Sequence, residues 1–342
     1  MSAPVADAKT ARESIDVLAS GTATYPSQPM RLEPVEPTRV YRFYRGGELI
    51  GGLRGKPEPD DVYPEDWLAS VTHASNPGRD EPTAGLSRLT DGRLLRDTIA
   101  AAPEAWLGAA HVERFGTSTG LLVKLLDAAV RLPVHAHPSR AFARERFGSP
   151  FGKTEAWIVL ATRGDESEVW LGLRDPVSPA EYHSWIDRQD TEALLGSLHH
   201  LQVRAGDVLF VPAGVPHAIG AGVLIAELQE PSDFSIVCEW RGFPIAPEES
   251  HLGIGWDLAL GALRLDTFEP TFGLPEEARK FFWADDLAEP ADRFGVLLVL
   301  DGAGEIDGRA ARAGDAFALP AACEPFEVVG DLRVLRCLAP DP

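Results

Sequence analysis

Lysine is scarce in this 342-residue chain. Five lysines stand beside 27 arginines, and the 32 basic residues face 52 acidic ones for a net charge of −20. A surface that negative repels phosphate backbones and anionic lipid, which argues against nucleic acid or a membrane surface as partner. Cysteine is rarer still. Cys238, Cys323 and Cys337 are odd in number and far apart, which leaves no disulfide framework or thiolate zinc site and suits a reducing compartment. The opening MSAPVADAKTARESIDVLAS has no uninterrupted apolar stretch, so no secretory signal is read there. Nothing later approaches the roughly 20 apolar residues that span a bilayer. Together these absences predict a soluble, cytoplasmic protein.

What is present is an ordinary globular balance, 44% hydrophobic and 25% charged. At roughly 100–200 residues per domain, the length holds about two domains. The stretch 1–37 is rich in Ala, Pro, Ser and Thr without periodicity, and is expected to be a loosely held or peripheral extension. From Arg39 the chain breaks into short apolar or alternating runs between Gly, Pro and Asp: RVYRFY, TGLLVKLLDAA, EAWIVLAT, SEVWLGL, HHLQVRAGDVLFVPAG, GVLIAELQ and SDFSIVCEW. Such runs are the strands of a barrel or sandwich. Two segments carry helical spacing instead. PAEYHSWIDRQDTEALLGSL follows Ser178 as N-cap with Pro179 at the first helical position, and DGRLLRDTIAAAPEAWLG from Asp91 can share one face through Leu94, Leu95, Ile99 and Ala102.

One element occurs twice. Gly206-Asp207 precedes VLFV and Pro212-Ala213-Gly214; Gly314-Asp315 precedes AFAL and Pro320-Ala321-Ala322, at an offset of 108 residues. The repeat predicts two copies of one β-domain. The first copy is followed by His217 and the second has Pro325 at the matching place, so only one copy is equipped for a metal.

Four side chains form the candidate centre. In LPVHAHP the period of two along a strand turns His135 and His137 to one face. Glu155 in GKTEAW offers a carboxylate and His217 in PAGVPHAIG a third imidazole. Any single histidine is more often a surface or core residue, but this mixed N/O set suits Zn²⁺ or another first-row divalent ion with positions left open.

H-x-H with a later glutamate, and G-x5-P-x-G-x2-H from Gly206 to His217, match the two signature motifs of cupins. The longer strings LLVKLLDAAVRLPVHAHP, GKTEAW and RAGDVLFVPAGVPHAIGAGVLIAELQEPSD resemble the type I phosphomannose isomerases, in particular short bacterial members. The likeness extends back to RGGELIGGLRG and PEDWLASVTHAS and forward to HLGIGWDLALGAL, covering roughly Arg39 to the end. It implies a mainly β fold of two tandem cupin (jelly-roll) barrels with a few short helices. The metal-binding cupin would span 38–250 and a degenerate one 251–342, joined through 251–265. It also implies a metal-dependent aldose–ketose isomerase acting on mannose 6-phosphate or a related sugar through an enediol.

On this resemblance His137, Glu155 and His217 fall where the family has zinc ligands, and His135 falls where it usually has glutamine. A third imidazole should bind a transition metal more tightly than an amide oxygen. Of the five lysines, Lys124 and Lys153 fall in the family's active cleft, and Lys153 shares a strand face with Glu155 two residues on. Glu227 matches a position proposed for acid–base work, or else supports a neighbouring group. After the Ser-Asp pair the chain reads SDFSIVCEWRGF, with Ile236 near the expected arginine and Arg241 five residues on as its replacement. Loss of that cation weakens the case for a phosphorylated substrate, since anion recognition favours bidentate arginine. Arg140, Arg144 and Ser149 are either an alternative phosphate pocket or a solvated helix. A cupin dioxygenase, an isomerase of an unphosphorylated sugar and a sugar-binding cupin without turnover stay open as alternatives.

Overall fold

The computed structural model describes residues 30–341 apart from 56–60, 77, 80 and 165–166. Most of the expected N-terminal extension, residues 1–29, therefore lies outside the described residues. Two antiparallel sheets occupy the middle of the chain. The first runs Arg39–Val40, Glu65–Leu68, Leu122–Ala128, Val223–Gln229, Glu155–Thr162, Val208–Val211; the second runs Ile236–Val237, His135–Ala136, His217–Ile219, Ser167–Leu173, Leu198–Val203. They face each other across a core in which Leu126, Trp157, Val159 and Ile225 of the first meet Val169, Leu171 and Ile219 of the second.

The other face of the first sheet is covered as well. Val123, Leu125, Ala156, Ala226 and Leu228 share a core with Phe282, Phe294, Val296, Leu298 and Leu335 and with Leu95, Ile99 and Trp106 of the short helices. Strands buried on both faces need no polar alternation, and every residue of Leu122–Ala128 and of Val223–Gln229 is buried. The period of two then sends Lys124 inward with Leu126, Glu227 inward with Ile225, and Glu155 inward with Trp157.

The third sheet is ordered Glu33–Val35, Ala316–Leu319, Gly295–Ile306, Val328–Leu338, Trp283–Asp285, with Arg309–Arg312 paired to Gly295–Ile306. The fold is thus mainly β, as the runs predict. The strands do not close by hydrogen bonding into barrels: among the described residues the architecture is two facing sheets with a third packed behind.

The repeated element folds the same way twice. The amide of Gly206 donates to Val159 O and that of Arg204 to Asp207 Oδ2; in the second copy Gly314 N–H donates to Val299 O and Arg312 N–H to Asp315 Oδ2. Both glycines have positive φ, 96° and 86°, which a side chain at that position would disfavour.

Pro179–Arg188 forms as read, with Ser178 Oγ accepting from Glu181 N–H and Pro179 in the first turn. The helix expected from Asp91 is instead two, Leu95–Ala101 and Pro103–Leu107. Pro103 forces Ala102 out of the helical region, to φ −148° and ψ 60°, and Asp91 spends its carboxylate on Arg93 in a turn. Leu95 and Ile99 are buried while Ala102 is exposed.

Candidate metal centre

His135–Ala136 is a two-residue strand between two partners: His135 lies opposite His217 on one side and Val237 on the other. The alternation predicted for H-x-H holds. Ala136 turns away and the rings of His135 and His137 sit 5.0 Å apart, with the His217 ring 4.2 Å from His135 and 5.0 Å from His137. The turn before His217 is held by Gly214, whose N–H donates to His137 O at 2.7 Å. Its φ is 86°, and a Cβ there would come within 2.9 Å of Ala262 O.

Each ring donates its Nδ1–H to a backbone carbonyl: His135 to Pro133 O at 2.8 Å, His137 to Phe234 O at 2.8 Å and His217 to Val215 O at 2.9 Å. A carbonyl only accepts, so these bonds fix the tautomer and leave Nε2 as a lone pair on every ring. Burial pushes all three imidazoles toward the neutral form, His137 and His217 down to about 3 and His135 well below its ordinary value. The lone pairs nevertheless face one another. Nε2 of His135 and His217 are 3.0 Å apart, and the three ligating atoms lie within 4.8 Å of each other.

Glu155 completes the set. Oε1 is 3.0 Å from His137 Nε2 and 2.8 Å from Lys153 Nζ; Oε2 accepts from Trp157 Nε1 at 3.2 Å and is 3.7 Å from His217 Nε2. Burial opposes the charge on Glu155, but its surroundings, with the Lys153 ammonium 2.8 Å away, hold the carboxyl well below the usual range. Three imidazole lone pairs and a carboxylate, all buried and all acceptors, are the donor set of a divalent cation. The residues present therefore fit a bound metal.

A second charge cluster lines the adjoining cleft of about 330 Å³, which also takes in His135, Lys153 and Glu155. Lys124 Nζ is 3.3 Å from Glu227 Oε1 and 3.8 Å from Glu65 Oε2. Glu65 accepts from Tyr44 Oη at 2.6 Å and Trp67 Nε1 at 2.7 Å, and its Oε1 is 3.0 Å from Arg42 Nε. Arg42 donates both terminal nitrogens to Asp233, at 3.0 and 2.9 Å. Burial works against the charge on Glu65, but Arg42 and Lys124 hold its pKa below the ordinary value. Glu227 behaves oppositely: burial and then Glu155 push it up to about 7 against the pull of Lys124 and Lys153.

Of the side chains singled out in the sequence, His135, His137, Glu155, His217, Lys124, Lys153 and Glu227 come together. Arg241 does not. Its side chain is exposed and outside the cleft lining, and its backbone N–H donates to Gln189 Oε1 at 2.8 Å. Arg140 is also elsewhere, paired with Glu230 and stacked over Phe281 at 4.6 Å, and Ser149 Oγ donates to Phe151 O. Arg42, Glu65 and Asp233 escaped the sequence reading. Arg42 carried a signal, since the alternation of RVYRFY puts it in phase with Val40 and Tyr44, and all three are buried.

No protein-family model matches the chain. Among curated proteins it is similar to the mannose-6-phosphate isomerase of Streptococcus mutans, 40% identical over 200 residues, 57% of this chain and 57% of that protein. It is also similar to the mannose-6-phosphate isomerase ManA of Bacillus subtilis, 34% identical over 211 residues, 60% of this chain and 59% of that protein. The matched chain thus spans less than two thirds of these relatives' length. Among solved structures, the mannose 6-phosphate isomerase from Bacillus subtilis superposes with TM-score 0.69 at 23% identity, over 90% of this chain and 99% of that one. A variant of the phosphomannose isomerase from Salmonella typhimurium superposes with TM-score 0.68 at 16% identity, over 91% and 100%. At these identities the superpositions speak for the fold.

Proposed function

We propose that the chain is a member of the type I phosphomannose isomerase family, a reading its similarity to mannose-6-phosphate isomerases and its fold support, and that it is a metal-dependent aldose–ketose isomerase. The reaction would interconvert mannose 6-phosphate and fructose 6-phosphate, or a related hexose pair, through an enediol. The observation that carries this reading is the convergence of three Nε2 lone pairs and the Glu155 carboxylate beside a cleft holding buried Lys124, Lys153 and Glu227.

His135, His137, His217 and Glu155 would hold the metal, with zinc as the ion this donor set suits. Such an ion, when bound, supplies Lewis-acid polarisation of a carbonyl or hydroxyl oxygen. The chain's own groups handle the proton. Isomerisation takes a proton from C2 of the aldose and returns one to C1, while the O2 proton is lost and O1 gains one. Glu227, with a pKa near neutrality, can take and return the carbon-bound proton. Lys124 at 3.3 Å holds its carboxylate form in place, and Lys153 offers a positive charge to the oxygen that becomes negative as the enediol forms. Arg241 has no part in this scheme.

The same reading divides the chain into an extension at 1–37, a metal-binding lobe at 38–250 and a second lobe at 251–342, except that Glu33–Val35 is not peripheral but pairs with Ala316–Leu319 at the edge of the third sheet. Three free buried cysteines agree with a reducing, cytoplasmic setting, and no helix among the described residues is long and apolar enough to cross a membrane. The test is a panel of free and phosphorylated aldoses and ketoses assayed in turn with zinc-, manganese-, cobalt- and iron-loaded protein. Interconversion, with label from C2 transferred to C1 or exchanged with solvent, is the expected result. Absence of interconversion with every sugar and every metal overturns the assignment.

A further inference from the structure

Three ring N–H groups orient the imidazoles of the candidate centre, and they are not held alike. His135 and His217 each donate Nδ1–H to a carbonyl two residues back in their own segment, Pro133 O and Val215 O. Those bonds come with the local backbone. His137 donates instead to Phe234 O at 2.8 Å, 97 residues away in the sequence. Residues 230–235 belong to no strand; they carry the chain from the end of Val223–Gln229 in the first sheet to Ile236–Val237 in the second. An acceptor on such a segment keeps its place only where side chains tie it down.

The start of the segment is tied by Glu230 N–H to Thr154 O at 3.1 Å and by Ser232 Oγ–H to Gly152 O at 2.6 Å. At the residue before Phe234 the tie is a carboxylate. Asp233 accepts from both terminal nitrogens of Arg42, at 3.0 and 2.9 Å, and from the Ser75 amide at 2.9 Å. A planar fork on two oxygens fixes the direction of the carboxylate, which a point charge does not. Arg42 is held in turn: it is buried, its Nε lies 3.0 Å from Glu65 Oε1, and its guanidinium lies over the Trp67 ring at 5.3 Å. The arginine that meets the Ser232-Asp233 pair thus comes from position 42 and not from Arg241, whose side chain is exposed. None of these bonds ends on Glu155 or on an imidazole Nε2. A cation taken up there, which would release Lys153 from Glu155, leaves them in place.

Resting on the reading of His137 as a metal ligand, we infer that Arg42 is a positioning residue of the centre: through Asp233 it fixes Phe234 O, and with it the tautomer and direction of the His137 ring. Partners one step behind a metal ligand orient it in this way.

The experiment reads the three ring N–H protons separately. Zinc-loaded full-length protein with isotopically labelled histidine is compared with Arg42→Lys, which keeps the charge but not the fork, and with Asp233→Asn. Solvent exchange of each Nδ1–H is followed by NMR, and zinc affinity by competition with a chromophoric chelator. In both variants the His137 proton is expected to exchange about tenfold faster while those of His135 and His217 do not change, and zinc is expected to bind about tenfold more weakly. The double variant should lose no more than either single one, because the two side chains act in series. A general loosening of the fold would move all three protons, and an unrelated role would move none; either result overturns the inference. Acceleration in only one variant, an unchanged zinc affinity, or losses that multiply in the double variant also overturn it. Where one variant does not fold, the other decides. No sugar enters these readouts, so a protein that isomerises nothing brings down the isomerase reading alone, and a failure of the inference leaves that reading standing.

Discussion

Glu227 sits where a proton can be held and released near neutral pH. Burial and the nearby Glu155 raise its pKa to about 7, and Lys124, Lys153 and the remaining charges leave it there. As the acceptor of a C2 proton it must be ionised, so activity is expected to rise with pH through about 7. In Glu227→Gln that limb disappears and kcat falls by about 10²–10⁴-fold, with the far-ultraviolet spectrum unchanged; a variant keeping both rate and limb removes Glu227 from the chemistry. The sign for stability is the reverse. The folded state keeps a proton that the unfolded chain releases above about 4.5, so this group's contribution is fully present below that pH and is lost as pH rises toward 7. His135 carries a separate prediction. Its Nδ1 is committed to Pro133 O and its Nε2 faces His217 at 3.0 Å, so His135→Gln replaces an imidazole donor by an amide. Zinc affinity measured by competition with a chromophoric chelator should fall at least about tenfold; an unchanged affinity means that His135 is not a ligand. His135, His137, Lys124 and Lys153 are legible because spacing betrays them, H-x-H on a strand and two of only five lysines near it, whereas Glu227 stands out only through the family resemblance. Arg42, Glu65 and Asp233 are not legible, because a salt-bridged set drawn from positions 42, 65 and 233 leaves no local pattern.

Among the elements, the turn from Val208–Val211 into His217–Ile219 aims His217, one of the proposed ligands, and its geometry depends on one residue. Gly214 has φ 86°, and an added Cβ would lie 2.9 Å from Ala262 O and from Arg264 Cγ. Gly214→Ala therefore meets both backbone strain and a clash, a loss of about 1–3 kcal/mol, and the shifted turn displaces His217. The measurable outcome is a lower melting temperature together with weaker zinc binding. A variant that melts lower but binds zinc as before would uncouple the turn from the centre. Most elements could be read from the sequence because their signals are local: apolar runs of strand length, the Ser178 cap, the repeated Gly-Asp turn. The single helix expected from Asp91 breaks in two because Pro103 overrides the helical periodicity at Ala102. Barrel closure was expected on resemblance, and it depends on which strands become partners across the sheet edges, a long-range choice that no strand's own sequence records.

At the scale of the molecule, the first sheet is the shared wall. One face packs on the second sheet and the other on the C-terminal sheet, so the lobe that carries the ligands is completed by residues far along the chain. Glu33–Val35 ties the two ends further, pairing with Ala316–Leu319. Phe294 is fully buried in this joint core with Leu125, Ala226 and Leu228, and Phe294→Ala should cost about 3–5 kcal/mol. Because the core is common, the loss cannot stay in the C-terminal sheet. Hydrogen exchange should accelerate in the amides of Leu122–Ala128 as well as in those of Gly295–Ile306, and thermal unfolding should remain a single transition with a lowered midpoint. Exchange accelerating in Gly295–Ile306 alone, or a second transition, would show that the lobes unfold independently. Zinc adds to the same argument from the opposite end. At the proposed site, binding to the four acceptors would stabilise the native state by about 4 kcal/mol at a thousandfold excess over Kd. In a chain with one shared core, chelation should therefore lower the midpoint reported from the C-terminal sheet as much as the one reported from the ligand-bearing strands.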